Sequence, residues 1–154
     1  MSASPYITSL RRRVGHGLLL MPGVSALIFD DRGRVLVQQR AESGKWSLPG
    51  GTIDPGETPP EAVRRELREE TGLHAEPVRV AGVFGGREHR ITYPNGDVAE
   101  ATTVVFECRV TGGELRGRDG ESAQLCWFAP DEMPELLTPY PAALFARREG
   151  PALF

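Results

Sequence analysis

Glu66, Glu69 and Glu70 stand close together in the run Arg64-Arg65-Glu66-Leu67-Arg68-Glu69-Glu70. On a helix turning roughly 100° per residue they fall inside an arc of about 100°, while Arg64, Arg65 and Arg68 occupy a separate arc. Like charges at i and i+4, here Glu66 and Glu70, cost an isolated helix about a few tenths of a kcal/mol, and Glu69 adds to the crowding. A cation relieves it. Carboxylate oxygens without His or Cys neighbours are hard ligands, which suit Mg2+ or Mn2+ better than zinc. Magnesium keeps part of its water shell and bridges to phosphate oxygens, so the cluster points to a phosphate-bearing substrate. Taken alone, a helix rich in Glu and Arg is ordinarily a solvated face, with Arg65 pairing to Glu61 and Glu69 at the surface.

The elements that must position these acids argue against that ordinary outcome. Thr58-Pro59-Pro60-Glu61 reads as a helix start, with Thr58 as the cap, prolines in the first turn and Glu61 closing a capping box. Thr71-Gly72 reads as its end, with Gly72 in the left-handed conformation. Ahead of the helix, Lys45-Trp46-Ser47-Leu48-Pro49-Gly50-Gly51 delivers two glycines where backbone can approach a metal or a phosphate closely.

These residues carry a family resemblance. Gly51, five residues, Glu57, seven residues, then Arg65-Glu66-Leu67-x-Glu69-Glu70-x-Gly72-Leu73 match every defined position of the Nudix box, GX5EX7REUXEEXGU. Trp46-x-Leu48-Pro49-Gly50-Gly51 resembles the family's usual approach to that box. The resemblance implies an α/β/α sandwich around a mixed β-sheet, an α/β (α+β) class, with the box as a loop-helix-loop. It also implies Mg2+-dependent hydrolysis, with Mn2+ as substitute, of the pyrophosphate in a nucleoside diphosphate linked to another moiety, by water attacking phosphorus. Carried over by position, Glu66, Glu69 and Glu70 are the expected metal ligands, with a backbone carbonyl at Gly50 or Gly51. Glu69 or Glu70 is expected to position or deprotonate the attacking water. Glu57 and Arg65 are expected to orient the loop and helix. The family often adds a carboxylate from outside the box: Glu121 is the choice here, with Glu100 and Glu107 as rivals and a plain solvated loop acid as the alternative.

For substrate contacts, Arg40, Arg87 and Arg90 could hold phosphates, and Phe84, Tyr93, Phe106 or Tyr140 could stack a base. Surface charge and core packing compete with each of these roles. His16, His74 and His89 have no metal-ligand spacing. The subgroup signatures are missing: Val83 to Ile91 reads VFGGREHRI, not the Ser-Gln-Pro-Trp-Pro of NADH-cleaving members. Near His89 there is neither the proline of ADP-ribose-cleaving members nor the tyrosine of diadenosine-polyphosphate members. ADP-ribose or a nucleotide sugar leads as the substrate. A MutT-like nucleoside triphosphate pyrophosphatase is the alternative, and a non-catalytic ligand-binding Nudix domain is the reading from another class.

The 154 residues are 40% hydrophobic and 25% charged, with formal net charge −3, ordinary values for a globular chain with its own core. They suggest one domain over residues 1–154. The negative balance argues against long nucleic acid as a partner. Cys108 and Cys126 lack metal spacing and read as apolar strand residues in a reducing compartment. Leu18-Leu19-Leu20-Met21 is cut short by Pro22-Gly23, so no signal peptide or membrane span is expected, and a cytoplasmic location follows.

Val24 to Phe29 and Arg34 to Gln39 read as a hairpin around Asp30-Asp31-Arg32-Gly33. Trp46 to Leu48 reads as a short extended piece. Val78 to Phe84 and Leu125 to Phe128 read as strands, as do Ile91 to Tyr93 and Glu100 to Val110 around the Pro94-Asn95-Gly96-Asp97 turn. Of the long strand's faces, that of Thr102, Val104, Phe106, Cys108 and Val110 is the better core candidate. Asp131 to Leu136 and Pro141 to Arg148 read as helices. Residues 1–23 read as an extension able to contribute a helix and an edge strand to a homodimer.

Overall fold

The computed structural model describes residues 4–116, 122–147 and 149–154. Its elements in chain order are α1 (Pro5–Val14), β1 (Leu19–Leu27), β2 (Val35–Arg40), β3 (Trp46–Ser47), β4 (Gly50–Thr52), α2 (Pro59–Thr71), β5 (Leu73–Phe84), β6 (Arg90–Thr92), β7 (Val98–Gly113) and β8 (Ser122–Phe128). Single 3₁₀ turns occupy Arg87–His89, Pro130–Glu132 and Ala142–Phe145.

The strands form two sheets. One runs β4-β1-β7-β5 with β6 also on β7, and the other runs β3-β2-β8. β1 and β7 are parallel, in register from Leu19 against Ala99 to Leu27 against Glu107, whereas β4, β5 and β6 join antiparallel. The larger sheet is therefore mixed, and the class is α/β. Alternation along the strands builds two cores on opposite faces. Val24, Ala26 and Ile28 meet Leu36, Phe106, Cys108 and the Ala62, Val63 and Leu67 face of α2. Leu27, Val35, Val37, Leu48, Ala81, Val105, Leu144 and Phe145 make the second.

Several sequence expectations change here. The turn between β1 and β2 forms as read: Asp30 Oδ1 accepts from the Arg32 and Arg34 amides at 2.9 and 2.8 Å, and Gly33 has φ 75°. The hairpin closes only at the Phe29 and Val35 bridge, because β1 pairs with β4 and β7 while β2 pairs with β3 and β8. β1 lies inside its sheet, between β4 and β7, not at an edge. Both faces of β7 are core, since Thr103 and Val105 are as buried as Phe106 and Cys108. The helix expected over Pro141 to Arg148 is the four-residue 3₁₀ turn Ala142–Phe145, and that over Asp131 to Leu136 shrinks to Pro130–Glu132. Leu136 instead bridges to Trp46. Among the described residues no helix is long and apolar enough to cross a membrane.

Candidate active site

Helix α2 buries one stripe: Ala62, Val63, Glu66, Leu67, Glu70 and Thr71. These positions recur at the helical period, so the stripe that anchors α2 to the sheet through Val63 and Leu67 also carries Glu66 and Glu70 inward. Its ends are fixed locally. Glu61 Oε2 accepts from the Thr58 amide at 2.8 Å and Thr58 Oγ1 accepts from the Glu61 amide at 3.4 Å, completing the capping box. Gly72 closes the helix at φ 76°, and a Cβ there would lie 2.4 Å from the Glu114 carbonyl oxygen. Glycine is required on both counts.

Glu70 is 2% exposed. Its Oε2 accepts from the Gly50 amide at 2.8 Å and from Gln38 Nε2 at 2.9 Å. Burial first, and the neighbouring Glu66 charge second, push its carboxyl up to about 8 against those donors. Gly50 reaches this acid because β4 lies tight on β1: a Cβ on Gly50 would sit 2.1 Å from the Val24 carbonyl oxygen and 2.7 Å from Ser25 Cα. Glu66 is 3% exposed. Burial raises its carboxyl above the usual range, with the charges of Glu69 and Glu57 adding to the rise and Arg65 opposing it.

From its own arc of α2, the Arg65 side chain reaches in among the acids. Its Nε and Nη2 donate to Glu57 Oε1 and Oε2 at 2.6 and 2.8 Å, Nη2 to the Thr52 carbonyl at 3.0 Å, and Nη1 to Glu66 Oε1 at 2.9 Å. The two-pronged bond to Glu57 holds Glu57 below, and the guanidinium above, their ordinary ranges. Glu57 in turn accepts from the Asp54 amide at 3.0 Å. Arg65 thus ties α2 to the loop before it. Glu69, with its side chain 49% exposed, turns toward Arg65 Nη1 at 3.4 Å.

Gly51 sits in β4 opposite Val24 of β1, beside Gly50. Arg40 ends β2 and hydrogen bonds to Glu42 at 2.8 Å. Burial works against its charge, but Glu42 foremost, with Glu70 and Tyr93 also within electrostatic reach, raises it above the ordinary range. Arg40 is therefore the basic residue from the sequence set that the fold brings toward Glu70. Tyr93 is 40% exposed near it, and Arg87 is exposed in its 3₁₀ turn. Glu100 is held by Arg90 at 2.7 Å and Glu107 by Arg79 at 2.6 Å, so both rival carboxylates have cations of their own. Glu121 lies outside the described residues. Phe106 is core beneath α2, and Phe84 packs edge-on to Tyr140 at 5.2 Å with His89 stacked on it at 6.4 Å. Packing, not base stacking, accounts for the two phenylalanines.

As the side chains stand, no three His, Cys, Asp or Glu groups among the described residues converge as metal ligands. Arg65 bridges Glu66 and Glu69, and Glu70 faces Gly50 and Gln38. The donor set nevertheless fits a hard divalent ion. Burial and the Glu66 charge raise the proton affinity of Glu70, Arg65 bonds Glu66 and Glu69 but not Glu70, and the all-oxygen set carries more negative charge than that one guanidinium offsets. The residue that sequence reading missed is Gln38. A glutamine on the same strand face as Leu36, directly after the run Val35-Leu36-Val37, was the available signal of a buried polar partner.

Comparisons with known proteins agree with the box. A family model described as NUDIX domain matches residues 19–148. The chain is 35% identical over 112 residues to a MutT-like protein of Streptomyces ambofaciens, covering 73% of this chain and 66% of that protein, just under two thirds of its length. It is 30% identical over 117 residues to a putative 8-oxo-dGTP diphosphatase of Bacillus subtilis, covering 76% of this chain and 72% of the relative. Among solved structures, an ADP-ribose pyrophosphatase from Streptococcus suis superposes with a TM-score of 0.64 at 30% identity, over 81% of this chain and 88% of the other.

Proposed function

The chain belongs to the Nudix family, and from that premise we propose that it hydrolyses the pyrophosphate linkage of a nucleoside diphosphate joined to a second group, with ADP-ribose or a nucleotide sugar as the leading substrates. The observation that carries the reading is the pair Glu66 and Glu70, both buried on one stripe of α2 and both raised above the usual carboxylate range. Such a pair is costly in the absence of a cation and useful in its presence.

Glu66, Glu69 and Glu70, with a backbone carbonyl at Gly50 or Gly51, would hold Mg2+ or Mn2+. When bound, the ion neutralises charge on the pyrophosphate and makes a coordinated water more acidic. Glu69, the most exposed of the three, is the residue best able to take a proton from the attacking water, because its carboxylate can turn to solvent or inward. Arg65 and Glu57 keep the loop at Thr52 to Glu57 registered on α2, which fixes where Gly50 and Gly51 present their backbone. Arg40 supplies positive charge for a phosphate at the Glu70 side of the site. Tyr93 beside it offers an exposed ring to a base, and Arg87 an exposed guanidinium to a phosphate. Glu121 is retained as the acid from outside the box.

A second reading, hydrolysis of a nucleoside triphosphate to the monophosphate and pyrophosphate, is favoured by the similarity to the Bacillus subtilis relative. A panel of ADP-ribose, UDP-sugars, dGTP and 8-oxo-dGTP, assayed with Mg2+ and with Mn2+, separates the two. Release of a nucleoside monophosphate with a sugar phosphate supports the first, and release of inorganic pyrophosphate supports the second. No turnover of any member with either metal would reject both in favour of a binding module.

A further inference from the structure

We propose that Gln38 is a positioning residue: together with the Gly50 amide it commits Oε2 of Glu70 to the protein and so keeps Oε1 for a divalent cation. The inference rests on the metal reading given above and goes beyond the box, since Gln38 lies on β2, outside the segment that carries the acids. Gln38 is 1% exposed, and a primary amide so deeply placed needs polar partners of its own.

The geometry gives that amide a directed task. A carboxylate oxygen offers two lone pairs, and those of Glu70 Oε2 are met by two N–H donors, Gln38 Nε2 at 2.9 Å and Gly50 N at 2.8 Å. Among the described residues Oε1 accepts no hydrogen bond. The two donors come from different sheets, Gly50 from β4 and Gln38 from β2. A rotation of the Glu70 carboxylate would break both bonds at once. Leu36, two residues before Gln38, belongs to the core beneath α2, so the alternation of β2 aims position 38 at the helix. Ser47, directly across from Gln38 in the β2 and β3 pairing, has a buried Oγ without a hydrogen-bond partner among the described residues. The neighbouring hydroxyl therefore does not take over the role of the amide.

Outer groups that orient a ligand typically govern metal affinity by about 10- to 100-fold. A purely structural glutamine would instead alter melting temperature and leave metal affinity untouched. The test is Mn2+ titration of the full chain, reading free Mn2+ by electron paramagnetic resonance, for wild type, Gln38→Met, Gln38→Leu and Glu70→Gln. Circular dichroism establishes that each variant is folded, and the near-isosteric Gln38→Met keeps the test open should Gln38→Leu not fold. The expected result is Mn2+ affinity lowered about 10- to 100-fold in the Gln38 variants, and lowered further in Glu70→Gln. Wild-type binding of Mn2+ with both folded Gln38 variants within about twofold of it would overturn this inference alone. Absence of Mn2+ binding by the wild type would overturn the metal reading and this inference with it.

Discussion

Replacing Arg65 with methionine removes the cation around which the loop, Glu57 and Glu66 are arranged, while keeping most of the side chain's apolar volume. Glu57 would lose two hydrogen bonds at 2.6 and 2.8 Å, Glu66 one at 2.9 Å, and the Thr52 carbonyl one at 3.0 Å. Stranding a fully buried charge costs about 3–5 kcal/mol. The Arg65 and Glu57 side chains are 23% and 22% exposed, so water compensates part of that loss. A second bound comes from protonation. Glu66, with an ordinary value of 4.5, can be neutralised at about pH 7.5 for no more than roughly 4 kcal/mol, at 1.36 kcal/mol per pH unit. A loss of about 2–4 kcal/mol follows, which for a chain of this size lowers the melting temperature by roughly 5–15 °C. The assay is calorimetric melting at about pH 7.5, first with chelator and then with excess Mg2+. With chelator the variant should melt roughly 5–15 °C below wild type, and Mg2+ should narrow the gap, because the ion supplies positive charge to the acids that Arg65 deserted. A variant within about 2 °C of wild type in chelator would refute the reasoning and reduce the Arg65 network to exposed surface pairs.

Gly50→Ala places a methyl 2.1 Å from the Val24 carbonyl oxygen, forcing β4 off β1 and carrying the Gly50 amide away from Glu70. The expected cost is about 1–3 kcal/mol or more in urea unfolding, together with weaker Mn2+ binding; unchanged values of both would contradict the tight approach. His89 is buried, its Nδ1 has no hydrogen-bond partner among the described residues, and burial holds its pKa below the usual 6.5. The unfolded chain therefore takes the proton first, so the stability His89 confers is complete above 6.5 and is lost as the pH falls from there toward the folded-state value. His89→Phe should flatten the fall in unfolding free energy between about pH 7.5 and 5.5, and a fall parallel to wild type would count against that assignment.

What the sequence made legible was what is locally encoded. The N-cap of α2, the turn at Asp30 and the Pro94 to Asp97 turn depend on side chains bonding to backbone a few residues away, and each is present in the fold. Sheet membership is not local. The Asp30 turn is as it reads, yet β1 and β2 part into different sheets because their remaining partners, β7 and β8, come from far along the chain. Pro141 to Arg148 carries a helical composition, but an isolated stretch that short gains little from its own hydrogen bonds. Burial of Leu144 and Phe145 in the second core settles it as one 3₁₀ turn. In the site, the spacing of Glu66 and Glu70 foretold their shared face and the box pointed to Arg65 and Glu57 as the loop-to-helix tie, whereas the Arg65 bond to Glu66 and the Gln38 bond to Glu70 depend on rotamers and on a strand that only tertiary structure brings to the helix.

The proposed attack of water on phosphorus, assisted by the α2 acids, is tested most directly by hydrolysis of ADP-ribose with Mg2+ in oxygen-18 water, followed by mass spectrometry of the products. If ADP-ribose is turned over, one labelled oxygen is expected in AMP or in ribose phosphate, with no incorporation in the presence of chelator and most of the activity lost in folded Glu69→Gln and Glu70→Gln. Label incorporated at wild-type rates in both variants would contradict the assignment of the chemistry to Glu69 and Glu70.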